Sequence, residues 1–438
     1  MKRHLVVFGA ACAIALVLPG TAVADPGDLD PSFSENGKQT TDFDGALDYS
    51  YALAIQDDGR SVLGGQTGPL SGDTDFALAR YTTPGELDSS FSGDGRRVLD
   101  FQGTGGDDFV YDLAVQPDGK IVAAGYTENP GGARVAFAVA RFRPNGTLDP
   151  TFGGDGKVRT LFPEGPAYGY AVGIDSDGNV VVAGEVEIDP DSDPRDFDFG
   201  VARYHPNGTL DHSFGGDGLV TTDFDHGTDG GWDLAIQPND RIVVAGWARP
   251  AEFYRFAVAR YRTDGTRDGS FSGDGKLVMN FNPGVSVDNY ALAVRLRPDG
   301  KIVVGGHISF SPAGGIIGLG RILPGGAPDP SFGDHGKIIN DLGQGGGVYF
   351  EDMALQGDSR IVVTGELRGP SETWLFVARF WAGGGVDNTF GSSGLTRVKF
   401  GATADAEGEA VEIQDTAKIL AAGSNGAGSD FASVRLLP

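Results

Sequence analysis

The stretch VYDLAVQPDGKIVAAG, residues 110–125, decides the fold. Two short apolar runs, Leu113 to Val115 and Ile121 to Ala124, flank the turn sequence Pro-Asp-Gly. Apolar runs of this length broken by turn formers read as a tight β-hairpin. Relatives of the same hairpin begin at Tyr51 (YALAIQDDGRSVLGG), Tyr170 (YAVGIDSDGNVVVAG), Trp232 (WDLAIQPNDRIVVAG) and Tyr290 (YALAVRLRPDGKIVVGG). Two more begin at Glu351 (EDMALQGDSRIVVTG) and Glu409 (EAVEIQDTAKILAAG), which makes seven units.

A second motif, Leu-Asp-x-Ser/Thr-Phe-x-x-x-Gly, recurs with the hairpin, with weaker versions from Arg267, Pro328 and Val386. Its aspartates, Asp30, Asp88, Asp149, Asp211, Asp268, Asp329 and Asp387, are 58, 61, 62, 57, 61 and 58 residues apart. That period is too long for one coil of a β-helix and suits a four-stranded sheet with its loops. The hairpin supplies two strands. A third reads FAVAR-like at 76–81, 137–142, 199–204 and 256–261, with weaker versions at 317–322, 375–380 and 431–436. A fourth follows the Asp motif, at 38–43, 96–101, 157–162, 219–224, 276–281, 337–342 and 395–400. The second strand is apolar without alternation, so both its faces are expected to be buried. The fourth is polar, as an outer strand is. The expected fold is all-β, a seven-bladed β-propeller of four-stranded antiparallel blades. The last unit ends at its third strand while 38–43 precedes the first hairpin, so the N-terminal strand is expected to complete the last blade and remove an exposed edge.

The units 111–162 and 232–281, with PDGKIVAAG, FAVARF and LDPTFGGDGKV, resemble the delta-60 repeat of bacterial exported proteins. The resemblance covers about residues 29 to 438. It implies a β-propeller repeat and brings no catalytic residues. Ile316-Ile317-Gly318 and Asp415-Thr416-Ala417 depart from its pattern, which puts the local turns there in doubt.

Lys2 and Arg3 precede an apolar run from Leu5 to Leu18, then Pro19-Gly20 and Ala22-Val23-Ala24. This reads as a signal peptide at 1–24, with a lead at 25–37 and a single propeller at 38–438. Cys12 is the one cysteine, so a cleaved chain has no disulfides. Without Lys2 and Arg3 the balance is 32 basic against 60 acidic residues, a net charge of −28. Such a surface repels nucleic acid and anionic lipid and is compatible with cations or basic partners. A secreted or cell-surface monomer, with no membrane insertion after cleavage, is expected.

Every unit also carries a third-strand arginine: Arg80, Arg141, Arg203, Arg260, Arg321, Arg379 and Arg435. Paired as Arg80 with Asp88, Arg141 with Asp149, Arg203 with Asp211 and, across the closure, Arg435 with Asp30, they make charge-assisted loop ties. A ring of identical functional sites is the other reading. The loop holding Asp189, Asp191, Asp193 and Asp196 has alternate acidic spacing suited to Ca²⁺. It lacks the glycine and terminal glutamate of an EF-hand, and a solvated loop is the favoured reading. Asp223, Asp225, Asp229 and Asp233 share that ambiguity. No other cofactor is indicated, and the six histidines show no metal or triad spacing.

One position after the second strand's glycine varies between units: Gln66, Tyr126, Glu185, Trp247, His307, Glu366 and Ser424. Tyr51, Tyr111, Tyr170, Trp232 and Tyr290 are expected on the same face. Variation on a constant frame is how scaffolds present binding sites, although drift at unconstrained loops looks the same. The expectation is a binding module for an extracellular ligand such as a glycan or peptide. Its rivals are a propeller lyase, lactonase or glycan-active hydrolase with a site at the axial mouth, and a structural surface protein. Clustered carboxylates or a metal on one face favour the enzyme.

Overall fold

The computed structural model describes residues 24–438 apart from 70–71, 102, 104, 130–133, 190–194, 282–286, 311–313, 346, 402–404, 415 and 427–429. The signal-peptide expectation therefore lies almost wholly outside the described residues, as do Asp191 and Asp193 of the acidic loop. Among the described residues there are 28 strands in seven four-stranded antiparallel sheets, and no helix long and apolar enough to cross a membrane.

The first blade shows the plan. Its strands are β2 (Leu47–Ile55), β3 (Ser61–Gly68), β4 (Asp75–Tyr81) and β5 (Arg96–Leu99), hydrogen-bonded in chain order. First strands of successive blades pack against one another around the axis, and fourth strands lie outside. Blades 2 to 6 span 108–160, 167–222, 229–279, 288–340 and 348–398. Blade 7 holds three strands from 407–436, and β1 (Lys38–Thr41) supplies its fourth by pairing with Phe431–Leu436. The ring closes through the N-terminal strand, and neither end strand is left with a free inner edge.

Each first strand carries a β-bulge where one residue is unpaired: Tyr51, Tyr111, Tyr170, Trp232, Leu292, Glu351 and Glu409. A bulge bends its strand and re-aims a side chain. It also accounts for the glycine in the second strand opposite. A Cβ at Gly125 would sit 1.7 Å from the carbonyl oxygen of Phe109, and at Gly65 1.8 Å from that of Tyr49. No side chain fits there, which is why a glycine stands at this place in all seven units.

The sheets meet face to face through third-strand aromatics and second-strand aliphatics, with Phe76, Phe137, Phe199 and Phe256 fully buried. Loops between third and fourth strands are tied by the arginine and aspartate of each unit. Arg141 donates Nε to Asp149 Oδ2 at 3.0 Å and Nη2 to Thr151 Oγ1 at 2.9 Å. Its Nη1 reaches the Pro206 carbonyl of the next blade at 2.6 Å, and its guanidinium lies 4.8 Å from the Phe152 ring centre. The corresponding Nε distances are 2.9 Å for Arg80 and Asp88, 2.8 Å for Arg203 and Asp211, and 2.7 Å for Arg435 and Asp30. The knot thus joins neighbouring blades as well as closing its own loop. The lead at 25–37 is part of the ring, because it carries Asp30 and Phe33 of the seventh knot.

Candidate functional site

The bulge has a chemical consequence on the channel side. The residue after it alternates around the ring: Ala52, Asp112, Ala171, Asp233, Ala293, Asp352, Ala410. Each aspartate serves two backbone amides. Asp112 accepts from Leu113 N and Val172 N, both at 2.7 Å. Asp233 accepts from Leu234 N and Val294 N at 2.7 Å, and Asp352 from Met353 N at 2.7 Å and Val411 N at 2.8 Å. Three aspartates therefore stitch blades 2 to 3, 4 to 5 and 6 to 7.

Arg295 crosses the channel among them, with Nη1 2.6 Å from Asp233 Oδ2 and Nη2 2.7 Å from Asp352 Oδ1. Burial, then the Asp233 charge, pushes Asp112 up to about 8. Burial pushes Glu412 up to about 7, against the pull of Arg295. The channel cavity has a volume of about 420 Å³. It opens to water, and its carboxyls are half-buried.

Above this layer the bulge residues form the mouth. Tyr51 stacks on Tyr111 at 5.0 Å, Tyr111 meets Tyr170 edge-on at 5.1 Å, and Tyr170 stacks on Trp232 at 4.5 Å. Leu292 follows, then Glu351 and Glu409. Burial and the neighbouring carboxylates raise both glutamates above the ordinary carboxylate range. Glu366, Glu407 and Glu409 each bring an oxygen within 4.8 Å of the others. The mouth is aromatic over blades 1 to 4 and acidic over blades 6 and 7.

The variable second-strand residues stand on the outer rim of this mouth, each opposite a first-strand partner. Gln66 faces Tyr49, Tyr126 faces Phe109, Glu185 faces Tyr168, and Trp247 faces Gly230. His307 faces Tyr290, Glu366 faces Tyr349, and Ser424 faces Glu407. They are not equally accessible. Ser424 and Glu366 are buried, at 1% and 7% exposure, while the other five are half-buried.

Trp247 touches Tyr254 edge-on at 5.0 Å, and Tyr254 meets Tyr290 at 5.0 Å. Glu185 accepts from the Tyr170 hydroxyl at 3.1 Å, and burial pushes it up to about 7. His307 stacks on Tyr349 at 4.9 Å, and Arg368 covers the other part of that site at 4.2 Å from the Tyr349 centroid while binding Glu366 at 2.6 Å. Burial, then the Arg368 charge, lowers His307 to about 4.

Two expectations need correction. Tyr290 is not the counterpart of Tyr51. Strand register places it with Tyr49 and Phe109, and Leu292 holds the bulge; the fifth hairpin corresponds to the others at its Pro298-Asp299-Gly300 turn, not at its tyrosine. The group Asp223, Asp225, Asp229 and Asp233 is also divided. Asp225 pairs with Lys276 at 3.6 Å and Asp233 lies in the channel, while Asp223 and Asp229 stay together with Asp198. In the acidic loop, Asp189 pairs across the sheet with Asp196.

Five segments, 56–91, 116–152, 176–214, 237–271 and 297–332, match the family described as a domain of unknown function (DUF5122) beta-propeller. Each runs from a hairpin turn to a motif phenylalanine, and together they lie in blades 1 to 5. The chain is a β-propeller repeat protein. No curated protein sequence matches the propeller. Among solved structures it is similar to a protein of unknown function from Dyadobacter fermentans, at 12% identity and TM-score 0.46 over 92% of this chain and 99% of that one. It is also similar to the polysaccharide lyase Uly1, at 12% and 0.46 over 88% and 89%. Sqt1 from Chaetomium thermophilum gives 13% and 0.47 over 91% and 100%. These distant likenesses carry no functional information about the propeller.

Proposed function

We propose that the protein is an exported propeller scaffold whose channel mouth binds an extracellular ligand, a glycan or a peptide. The observation that carries this reading is the continuous aromatic arc from Tyr51 to Trp232, facing carboxylates across the mouth. Aromatic faces take up sugar rings or apolar side chains at little ordering cost. The carboxylates accept from hydroxyl or ammonium groups, so a neutral or cationic ligand is favoured over an anionic one. The repeat's resemblance to those of bacterial exported proteins, the N-terminal signal sequence and the net charge of −28 after its removal support export as a soluble monomer without nucleic-acid partners.

A neutral-glycan array and a basic-peptide library are the screens that test this. In any positive, Trp247→Ala is expected to weaken binding at least tenfold, since loss of an aromatic anchor buried by the ligand costs about 2 kcal/mol or more. Its melting temperature is expected to move little, because Trp247 is half-buried and its aromatic contact with Tyr254 is at the rim. Unchanged affinity, or an unfolded variant, removes the mouth from consideration.

The cluster of Glu366, Glu407 and Glu409 favours a second reading, a glycan-active hydrolase or lyase with carboxyls as acid and base. New reducing ends released from a bound glycan, and lost in Glu409→Gln with binding retained, would establish it. Binding without turnover supports the scaffold. Silence in both screens leaves the structural role as the surviving reading.

A further inference from the structure

Three junctions between blades hold a triad of aspartates at equivalent places. One precedes the third-strand aromatic, one follows the fourth strand, and one lies on the next blade's first strand, three residues before its bulge. The triads are Asp430, Asp42 and Asp48 between blades 7 and 1; Asp75, Asp100 and Asp108 between blades 1 and 2; and Asp198, Asp223 and Asp229 between blades 3 and 4. Within each, one oxygen from every carboxylate lies within 4.8 Å of the others. Calcium takes oxygen ligands at about 2.4 Å, so oxygens up to about 4.8 Å apart can share one ion. Magnesium, at about 2.1 Å with strict octahedral geometry, fits this spread less well.

A second observation comes from the buried members. Asp48 and Asp108 are 0% and 1% exposed. In each, Oδ2 accepts a backbone amide, from Phe43 or Phe101 at 2.7 Å, while Oδ1 makes no well-aligned hydrogen bond, its nearest donor being the cross-strand hydroxyl of Thr67 or Thr127. Asp229 of the third triad differs, because its Oδ1 accepts from Arg249 N at 3.3 Å. A carboxylate oxygen held out of water without a well-aligned donor is costly unless something positive meets it. Cations reach two of these junctions but bond a triad residue's backbone: Arg96 Nη1 donates to the Asp42 carbonyl at 2.7 Å and Lys276 Nζ to the Asp223 carbonyl at 3.1 Å. Their ion pairs are with carboxylates outside the triads, Asp44 at 3.4 Å and Asp225 at 3.6 Å. His226 lies 3.2 Å from Asp223.

The other four junctions act as an internal control. Between blades 4 and 5 the same three places hold Arg255, Asn280 and Asn289. Arg255 Nη1 donates to the carbonyls of Tyr254 and Val287, both at 2.8 Å. Between blades 2 and 3 they hold Ala136, Leu161 and Ala167, and between blades 6 and 7 Trp374, Lys399 and Ala406. Between blades 5 and 6 a single acid, Asp341, stands with Ile316 and Val348. No junction holds two carboxylates: three have the complete triad, one has a single acid and three have none. Acidic residues placed only for solubility have no reason to keep that grouping across two blades.

We infer that the three aspartate triads are calcium sites that clamp neighbouring blades, and that Arg255 supplies a tethered positive charge where the fourth such junction has no ion. Sites of this kind in extracellular modules bind at about 0.1–1 mM, a range suited to an exported protein. The inference is independent of what the mouth binds.

Calcium alone, added to chelator-treated full-length protein, is the probe. Titration calorimetry is expected to count three ions, one per triad, and about 5 mM Ca²⁺ to raise the melting temperature by several degrees over EGTA. Magnesium is expected to give a smaller rise. Combining Asp48→Asn, Asp108→Asn and Asp229→Asn is expected to abolish the calcium-dependent rise. Its melting temperature in EGTA should equal or exceed the parent's, because charge repulsion is relieved. A second variant guards against misfolding. Asp75→Arg, Asp100→Asn and Asp108→Asn together copy the blade 4 to 5 junction and should remove one ion of the three. A parent protein that melts at the same temperature in calcium and EGTA overturns the inference. So does a calcium shift that persists undiminished in either variant.

Discussion

Asp30→Ala is expected to destabilise the protein by about 3–5 kcal/mol, the usual consequence of stripping the partner from a buried ion pair. Arg435 and Asp30 are 3% and 4% exposed, and Lys418 also reaches Asp30 at 2.7 Å. The change leaves a buried guanidinium over Phe33 with no carboxylate. It also loosens the lead that delivers β1 to the seventh blade, held there by four paired residues from Lys38 to Thr41. Asp88→Ala removes the same chemistry from a blade with no closure to hold. Both variants should lose similar stability in denaturant titration, but only Asp30→Ala should expose the N-terminal segment to limited proteolysis under native conditions. Equal protease resistance at that segment would show that closure does not depend on the knot.

Arg295→Met is the second large effect, at about 3 kcal/mol, the low end for a broken buried pair because the channel admits some water. The variant leaves Asp233 and Asp352 facing each other without the cation that bridges them. It should also steepen the pH dependence. Asp112 at about 8, Glu412 at about 7, and the raised Glu351 and Glu409 bind protons more tightly in the folded state than when unfolded. Their contribution is therefore lost as pH rises from about 4 through 8. The knot aspartates have the opposite sign. Burial alone would raise Asp30 and Asp149, but hydrogen bonds from Lys418 and Ser32 in one, and from Thr151 in the other, hold both below the usual range. Their contribution is lost as pH falls below about 4. The melting temperature of the parent should peak between about pH 4 and 5 and decline toward pH 8. Arg295→Met should decline more steeply over the same interval. A flat profile from pH 5 to 8 in both proteins would contradict the electrostatics of the channel.

The architecture was legible because one blade is written seven times. Gly125 recurs for a steric reason, the hairpin turn recurs for a conformational one, and β1 could be assigned to the last blade by counting strands. The Arg141 and Asp149 knot was legible as a pair, but not its reach to Pro206, because contacts between blades leave no trace in the period. The mouth was half legible. The rim residues from Gln66 to Ser424 stood out by differing from one another, yet Tyr349, Phe109 and Arg368, which surround them, did not. Arg295 stands where Ala54, Ala114 and Ala235 stand in other hairpins, but Tyr290, two residues before the bulge, masks that correspondence. Of the aspartate triads only Asp223 and Asp229 stood out in the sequence, as members of one acidic run. Asp75, Asp100 and Asp108 belong to two blades and three strands, and only the closed ring brings them together.

The alternating Ala and Asp beside the bulges obey a parity rule. Each aspartate satisfies two neighbouring amides, so the pattern tiles a ring two blades at a time. A ring of seven cannot be tiled in twos. Six amides, each two residues past a bulge, are taken up by Asp112, Asp233 and Asp352, and the first blade, with Ala52 and with Ala410 on its other side, is the one left over. The odd blade is thus a seam in an otherwise paired ring, and it sits beside the strand that closes the circle. Rotational symmetry is broken from within the channel, and the seven units, alike as they are, can be told apart by any molecule that enters along the axis.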